Sequence, residues 1–295
     1  MCLGHIMFNF TFKRNPVEFD PNGGMTKKLM GEKFPMLVER TNRYKELTLA
    51  LDKEELEITT ADGLKLKGWF FDAGSKNTVV LVHGYNSYGF KDNAAHAYVF
   101  FKRGYNVLVS DNRGCGESEG EYQTFGIRES EDVALWVKYI AERIPDGSIV
   151  LHGTSLGGAT VCFMASMDLP SVKCIVEDCG FKSIQWEFEC MCKLFAGFVP
   201  RLTIRSMERV TKRKLGFDFS TLSPLKSVEN AKYPMMFVHG KDDTFIPCTA
   251  AQEMYDVCPT DKELLLVDGF GHAGSQLAED AYYEPIFAFI EKHLQ

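Results

Sequence analysis

The stretch His152-Gly153-Thr154-Ser155-Leu156-Gly157-Gly158 carries most of the information about the fold of this chain. The residues before it, 148–151, form an apolar run of the kind found in strands that are buried on both faces. The residues after it, Ala159-Thr160-Val161, open a helix-like stretch. A Gly-x-Ser-x-Gly pattern between a buried strand and a helix predicts a sharp turn that presents the serine hydroxyl. We therefore expect Ser155 to be a nucleophile.

A serine hydroxyl is a weak nucleophile, so a histidine must accept its proton and an acid must orient that histidine. Where this turn occurs, the acid and then the histidine follow the serine along the chain. His272 lies in a glycine-rich loop after the last predicted strand, and we predict that it is the base. His239 is interpreted as a structural histidine in a turn, and His293 as a solvated residue.

The orienting acid is predicted at the end of the strand that precedes the His272 loop. Asp243 is the preferred residue, and its neighbour Asp242 is an alternative that could instead serve the turn. Asp178 follows an earlier strand and is a third candidate, because some enzymes with this turn take their acid from that position. The sequence leaves these alternatives open, with Asp243 first.

The negative charge that develops on an attacked carbonyl oxygen needs two N–H donors. One is predicted to be the backbone N–H of Leu156, directly after the nucleophile. The other is predicted at Tyr85, in the loop His83-Gly84-Tyr85 that follows the apolar run 78–82. The ring of Tyr85 would then line an acyl pocket, whereas His83 is interpreted as part of the turn.

Short apolar runs alternate with amphipathic helical stretches along most of the chain. The turn at Asp62-Gly63 joins the first two runs as an antiparallel pair, and helical crossovers separate the next six. This order predicts an α/β fold with a mostly parallel eight-stranded sheet and helices on both faces. The predicted strands are 56–60, 64–71, 78–82, 105–109, 148–151, 173–176, 234–238 and 263–267.

Two segments lie outside this alternation. Residues 1–54 are interpreted as an N-terminal helical extension packed on the main domain, 55–295. Residues 183–222 are too long for one crossover and contain apolar and aromatic side chains such as Trp186 and Phe188. These side chains could form a lid over a pocket or simply the core of extra helices, and the sequence favours neither.

Composition narrows the function classes. The chain has 295 residues and a net charge of -7, which makes it a poor candidate for binding nucleic acid or an anionic membrane. The one tight basic run, Lys212-Arg213-Lys214, is interpreted as a solvated helix face. No apolar run is long enough to span a membrane. Nine cysteines without a secretory signal or a metal-ligand spacing predict a cytoplasmic protein with reduced thiols and neither metal nor cofactor.

The order of the motifs resembles a bacterial α/β-hydrolase family with members similar to serine aminopeptidases and to cinnamoyl or short-acyl esterases. The resemblance covers about residues 55–295, apart from 183–222. It implies that Asp111, Arg113 and Ser118 have mainly structural roles beside the nucleophile turn. Thr154 stands where many relatives have His or Glu. The matching stretches are His83-Gly84-Tyr85, 101–107, 111–118, 152–158, Asp243-x-x-Ile246-Pro247 and Gly271-His272.

The resemblance implies a serine hydrolase of the α/β-hydrolase fold that acts on a small-molecule acyl substrate, and we favour a carboxylic ester with a short or medium acyl group or an aryl ester. An aminopeptidase or amidase is the alternative within this class. It would need an acidic anchor for a free amine, for which Glu187 and Glu189 are available, although both are interpreted as solvated. A catalytically inactive binding protein of the same fold is the alternative outside it.

Overall fold

The computed structural model describes residues 3–14, 27–28, 30–197 and 201–294, with the side chains at 195 and 196 excluded. Eight strands form one sheet in the order β1-β2-β4-β3-β5-β6-β7-β8. The pairs β1–β2 and β2–β4 are antiparallel, and every other neighbouring pair is parallel. The strands are β1 Glu54–Thr59, β2 Lys65–Phe71, β3 Asn77–Val82, β4 Asn106–Ser110, β5 Ser148–Thr154, β6 Val172–Asp178, β7 Met235–Gly240 and β8 Lys262–Val267.

The predicted mostly parallel eight-stranded sheet is thus confirmed, and each apolar run forms a strand within a few residues of its predicted bounds. The largest difference is at β5, which continues through Gly153 to Thr154. These residues still pair with the end of β6, where Thr154 stands opposite Asp178. The nucleophile therefore follows the last paired residue of a central strand with no intervening loop.

Eleven α-helices accompany the sheet within the described ranges. They are α1 Leu3–Phe12, α2 Phe34–Leu49, α3 Gly89–Asp92, α4 Ala94–Lys102, α5 Ile127–Arg143, α6 Leu156–Met164, α7 Ile184–Ala196, α8 Arg201–Leu215, α9 Pro224–Val228, α10 Thr249–Val257 and α11 Asp280–His293. None of them is both long and apolar enough to cross a membrane.

Apolar cores lie on both faces of the sheet. On one face, Trp136 of α5 and Val161 of α6 pack with side chains from the central strands. On the other face, Phe100 of α4 and Phe287 of α11 do the same, with ring centroids 5.0 Å apart. Successive side chains of a strand point to opposite faces of the sheet. Because helices cover both faces of this sheet, both sets of side chains are buried, which accounts for the strands that are apolar throughout.

The N-terminal segment packs on the rest of the chain at two separate places. Arg40 of α2 donates hydrogen bonds to Gln276 and Tyr283, at 2.7 and 3.0 Å. Helix α1 packs on α8, and Lys13 forms an isolated bridge with Tyr122. Residues 1–2, 15–26 and 29 of the predicted extension lie outside the described residues. The division of the chain at residue 54 stays a prediction.

The segment 183–222 contains α7 and α8, and residues 198–200 between them lie outside the described part. Phe188 and Met207 from these helices share an apolar cluster with Leu156 and Phe125. The segment therefore covers the start of α6, where the nucleophile turn lies. The aromatic side chains do form a core for extra helices, and a role as a lid stays a prediction.

Candidate active site

Ser155 occupies a strained turn between β5 and α6. Its backbone has φ 59° and ψ -117°, in a region that residues with a side chain rarely adopt. Its N–H donates to the carbonyl of Asp178 at 2.8 Å. A Cβ atom added to Gly157 would lie 3.0 Å from the carbonyl oxygen of His83 and closer still to β3. Glycine at this position therefore lets α6 approach the strand end that precedes the Tyr85 loop.

The structure brings Ser155, His272 and Asp243 into one hydrogen-bonded line. The Oγ atom of Ser155 lies 2.8 Å from Nε2 of His272. The Nδ1 atom of the same ring lies 2.7 Å from Oδ2 of Asp243. Because Nδ1 faces a carboxylate, it carries the ring proton, which leaves Nε2 free to accept a proton from the serine.

Four hydrogen bonds hold the carboxylate of Asp243. Oδ1 accepts from the backbone N–H groups of Phe245 and Ile246, each at 2.9 Å. Oδ2 is shared between His272 and Nε2 of His239, the latter at 3.2 Å. Burial opposes ionisation, but the two histidines hold the pKa of Asp243 well below its ordinary range. Burial lowers the pKa of His272 while Asp243 raises it, and the pKa is raised on balance.

His239 is more closely connected to this line than the sequence suggested. Its Nε2–H also points at the carbonyl oxygen of Ile246, at 2.8 Å. It is fully buried and supports the turn, as expected for a structural histidine. Its contact with Asp243 was not predicted, because residues 239 and 243 are separated by a turn whose shape no motif reveals. His293, expected to be solvated, is only 13% exposed and packs on Phe289.

The two alternative acids lie elsewhere. Asp242 is exposed to solvent, with its backbone N–H bonded to the carbonyl of Phe270. Asp178 is fully buried at the end of β6, and its Oδ2 accepts a hydrogen bond from the Tyr282 hydroxyl at 2.8 Å. Burial raises the pKa of Asp178 to about 6. Of the three candidates, Asp243 is the acid in hydrogen-bond contact with His272.

The Tyr85 loop lies directly against the nucleophile. A Cβ atom added to Gly84 would lie 3.5 Å from the Cβ of Ser155. The hydroxyl of Tyr85 donates to the carbonyl of Thr11 in α1 at 2.7 Å, and its ring packs on Phe125. The ring is thereby fixed by the N-terminal helix, which the sequence did not suggest. Leu156 begins α6, so its backbone N–H is one of the free donors at a helix N-terminus.

The residues that the resemblance assigns to structure do make structural contacts. Nε2 of His83 accepts from the N–H of Asn112 at 2.9 Å, which fixes the Tyr85 loop to the end of β4. Asp111 accepts from Gly89 at 2.7 Å. Arg113 forms a buried ion pair with Asp132 at 2.6 Å. These contacts connect the loops around the nucleophile turn without reaching Ser155 itself.

Glu187 was interpreted as solvated, and this is wrong. It lies on the inner face of α7 and is 3% exposed. Its Oε2 atom has no hydrogen-bond partner among the described residues. Burial raises its pKa to about 8, and it interacts electrostatically with His272 and Asp243. Glu189, by contrast, is partly exposed and accepts from Gln185 at 3.1 Å. The difference arises because residues 187 and 189 point to different sides of one helix.

A buried thiol completes the surroundings of His272. Ligand atoms of Cys179, Asp243 and His272 all lie within 4.8 Å of one another. A metal ion would need the Cys179 thiolate, but burial raises the pKa of this thiol well above its usual range. The Nδ1 atom of His272 is already bonded to Asp243. The chemistry of these three groups therefore does not fit a metal centre.

Two family models match more than half of the chain each. The model of the X-Pro dipeptidyl-peptidase (S15) family matches residues 28–193. The model of the serine hydrolase (FSH1) family matches residues 117–273, which include Ser155, Asp243 and His272. Their matched regions overlap from 117 to 193, across the nucleophile turn. Peptidases and other hydrolases are thus both represented among the similar families.

Two curated relatives with similar sequences are described without an activity. YqkD of Bacillus subtilis, described as an uncharacterized protein, is 25% identical over 76% of this chain and 74% of its own length. YfhR of Escherichia coli strain K12, described in the same way, is 25% identical over 80% of each chain. The matches extend over most of both proteins, so the similarity concerns the whole fold and not one motif.

Solved structures identify the fold. An esterase of Pyrococcus furiosus, Pf2001, superposes with a TM-score of 0.70 and 26% identity, over 84% of this chain and 93% of that one. The α/β-hydrolase GrgF of Penicillium superposes with a TM-score of 0.65 and 20% identity, over 82% and 99%. The chain therefore belongs to the α/β-hydrolases described by the S15 and FSH1 family models, and it is a serine hydrolase that resembles carboxylesterases.

Proposed function

We propose that Ser155, His272 and Asp243 are the catalytic triad of an enzyme that cleaves carboxylic esters. The observation that carries this proposal is the pair of contacts at His272, 2.8 Å to Ser155 Oγ and 2.7 Å to Asp243 Oδ2. The first distance allows direct proton transfer from Ser155 to His272, and the second lets Asp243 orient the ring. The chain order Ser155, Asp243, His272 is also the one expected after a strand-to-helix nucleophile turn.

The proposed reaction has two stages. His272 takes the proton of Ser155 Oγ, which attacks the ester carbonyl and forms a tetrahedral intermediate. The N–H groups of Tyr85 and Leu156 donate to the negative oxygen of that intermediate. His272 then gives its proton to the leaving alcohol, and an acyl-enzyme remains. A water molecule, deprotonated by His272, releases the acid by the same steps in reverse.

In this scheme the negative charge of Asp243 stabilises the protonated form of His272. Its ionised carboxylate favours the imidazolium that forms when His272 takes the serine proton. The two N–H groups of Phe245 and Ile246 keep the carboxylate in place throughout. The acid remains ionised during the cycle because its own pKa is held low.

The substrate is proposed to be an ester with a short or medium acyl group, or an aryl ester. The side chains around the nucleophile turn are mostly apolar and aromatic, with Tyr85, Phe125 and Phe188 among them. Such a lining favours an apolar acyl chain. The similar structure Pf2001 is described as an esterase. The segment 183–222 is proposed to act as the lid of this pocket.

The test is covalent labelling by a fluorophosphonate probe. We expect rapid labelling of the wild-type protein and none of Ser155→Ala, since the probe reacts with an activated serine. Circular dichroism of both proteins checks that they are equally folded. A folded wild-type protein that is not labelled would contradict the triad and favour a non-catalytic role for the fold.

A second candidate, an aminopeptidase or amidase, is favoured by Glu187. The ionised form of this buried side chain is unfavourable unless a cation pairs with it, and a substrate ammonium group could be that cation. Leucine methyl ester and methyl 4-methylpentanoate differ only in the amino group. We propose the plain ester as the better substrate. A strong preference for the amino ester, lost in Glu187→Gln, would favour the second candidate.

We also propose that the protein works in the cytoplasm. Support comes from its thiols, since all eight cysteines in the described ranges are free and five of them are buried. Fractionation of cells that express the chain with a small C-terminal tag tests this proposal. Recovery only from a secreted fraction would contradict it.

A further inference from the structure

Helix α1 exposes an apolar face to solvent. Leu3, Ile6 and Phe10 are 58, 53 and 75% exposed, respectively. Their spacing places them on one side of the helix, opposite the buried Phe8 and Phe12. The helix contains no Asp, Glu, Lys or Arg residue. Single exposed apolar residues are common, but three large ones on one helix face are not.

Helix α8 exposes a basic face. Arg201, Arg205, Arg209 and Lys212 follow one another at helical spacing, and all four are exposed. The three arginines form no ion pair with any residue that the structure describes. Helix α8 has six basic residues and a single acidic one, Glu208, although the whole chain has a net charge of -7. This helix therefore carries a net positive charge although the whole protein is acidic.

The two helices that carry these faces pack against each other. A Cβ atom added to Gly4 would lie 2.7 Å from the backbone carbon of Ser206, so the helices touch along their backbones. Arg213, beside the basic face, lies 3.0 Å from Nε2 of His5 in α1. Leu202 of α8 is 81% exposed and extends the apolar side chains across to the second helix. We call Leu3, Ile6, Phe10, Leu202 and the exposed basic residues of α8 the α1–α8 surface.

We propose that the α1–α8 surface binds anionic lipid bilayers, with the side chains of α1 inserted among the lipid headgroups and the arginines of α8 in contact with the lipid phosphates. An apolar helix face beside a row of arginines is the combination that interfacial membrane binding requires. The negative net charge of the whole chain does not oppose it, because α8 has six basic residues against one acidic residue. Glu189 and Glu208 lie beside Arg201 and Arg205. Charges farther away are screened, since the Debye length is only about 8 Å at physiological salt.

This placement would bring lipid close to the nucleophile. Thr11, on the same helix as the apolar face, holds the hydroxyl of Tyr85 through its carbonyl oxygen. Phe12 packs on Phe125 and Phe188 in the cluster around the nucleophile turn. A bilayer in contact with the exposed side of α1 would therefore be separated by this helix from the proposed acyl pocket. An enzyme bound in this way would meet its ester substrates at the lipid surface.

Co-sedimentation with vesicles tests the proposal on the full chain. One set of vesicles is phosphatidylcholine alone, and the other contains phosphatidylglycerol in addition. We expect the wild-type protein to sediment with the anionic vesicles only, and less so as the salt concentration rises. The double variant Arg205→Glu/Arg209→Glu should bind at least about tenfold more weakly. Ile6→Ser/Phe10→Ser should weaken binding at every salt concentration.

A matched control changes the net charge equally at another place. Lys138→Glu/Lys232→Glu alters two exposed lysines outside the α1–α8 surface and should bind vesicles as the wild type does. Fluorophosphonate labelling and circular dichroism check that each variant is folded. A wild-type protein that fails to sediment, or an Arg205→Glu/Arg209→Glu variant that sediments like the control, would overturn the proposal. Binding to a DNA duplex without binding to anionic vesicles would overturn it as well.

Discussion

The ends of two neighbouring strands, β6 and β7, each carry a buried carboxylate, but the two carboxylates differ in pKa. Asp178 closes β6 and has a tyrosine hydroxyl for a partner, while Asp243 follows β7 and has two histidines and two backbone N–H groups. Burial raises the pKa of Asp178 to about 6, whereas the pKa of Asp243 is held well below its ordinary range. The number and charge of the partners, and not depth in the protein, account for this difference in pKa.

The largest expected effect comes from exchanging each acid for its amide. Asp243→Asn should lower kcat/KM by about four orders of magnitude, because the amide favours the wrong tautomer of His272. Asp178→Asn should lower it by less than about tenfold, since Asp178 does not touch the ring. Steady-state hydrolysis of one aryl ester measures both. Equal losses in the two variants would mean that the two acids share the role.

The next effect concerns stability and pH. The folded-state pKa of Asp178 is raised from 3.8 to about 6, so the folded protein binds more protons than the unfolded chain between these values. The stabilising contribution of Asp178 is therefore present below about pH 4 and lost as the pH rises through about 6. Relative to the wild type, the free energy of unfolding of Asp178→Asn should therefore rise by about 3 kcal/mol over that pH interval. Urea unfolding of both proteins at the two pH values tests this. A difference in unfolding free energy between variant and wild type that stays the same at both pH values would contradict the prediction.

The smallest effect is expected in the pH profile of the reaction. His272 acts as a base only when neutral, and its pKa is raised above 6.5, so kcat/KM should fall with a midpoint above pH 6.5 as the solution is acidified. Asp178 contributes the least among the causes that raise this pKa. Asp178→Asn should therefore lower the midpoint by less than about half a pH unit. A shift of more than one unit would place Asp178 among the groups that orient His272.

Much of the sheet and the order of the site could be predicted from sequence, because each depends on local pattern. Apolar runs identify buried strands, and the turn at Ser155 is recognisable from two glycines at fixed spacing. The ranking of Asp243 over Asp178 depended on motif order alone, and the contact with His239 had no sequence signal. Glu187 was misjudged because the direction of an isolated amphipathic helix depends on what it packs against.

The N-terminal segment illustrates the same limit. Its helical tendency could be seen from residue types, but its partners could not. Arg40 meets Tyr283 across 243 positions of the chain, and Thr11 reaches Tyr85 across 74. Such contacts depend on the complete fold, so the sequence predicted an extension packed on the main domain without revealing that it touches the nucleophile's surroundings.

The positive φ of Ser155 has a consequence for variation at this position. Glycine adopts such a backbone at little cost, so Ser155→Gly should relieve strain of about 1 kcal/mol while ending the chemistry. The inactive variant would then be more stable to unfolding than the active enzyme. Cellular quality control removes chains that unfold and would leave this one in place. The amount of the protein in the cell would then not reveal that its activity has been lost. Selection for an active enzyme would have to act through the product of the reaction.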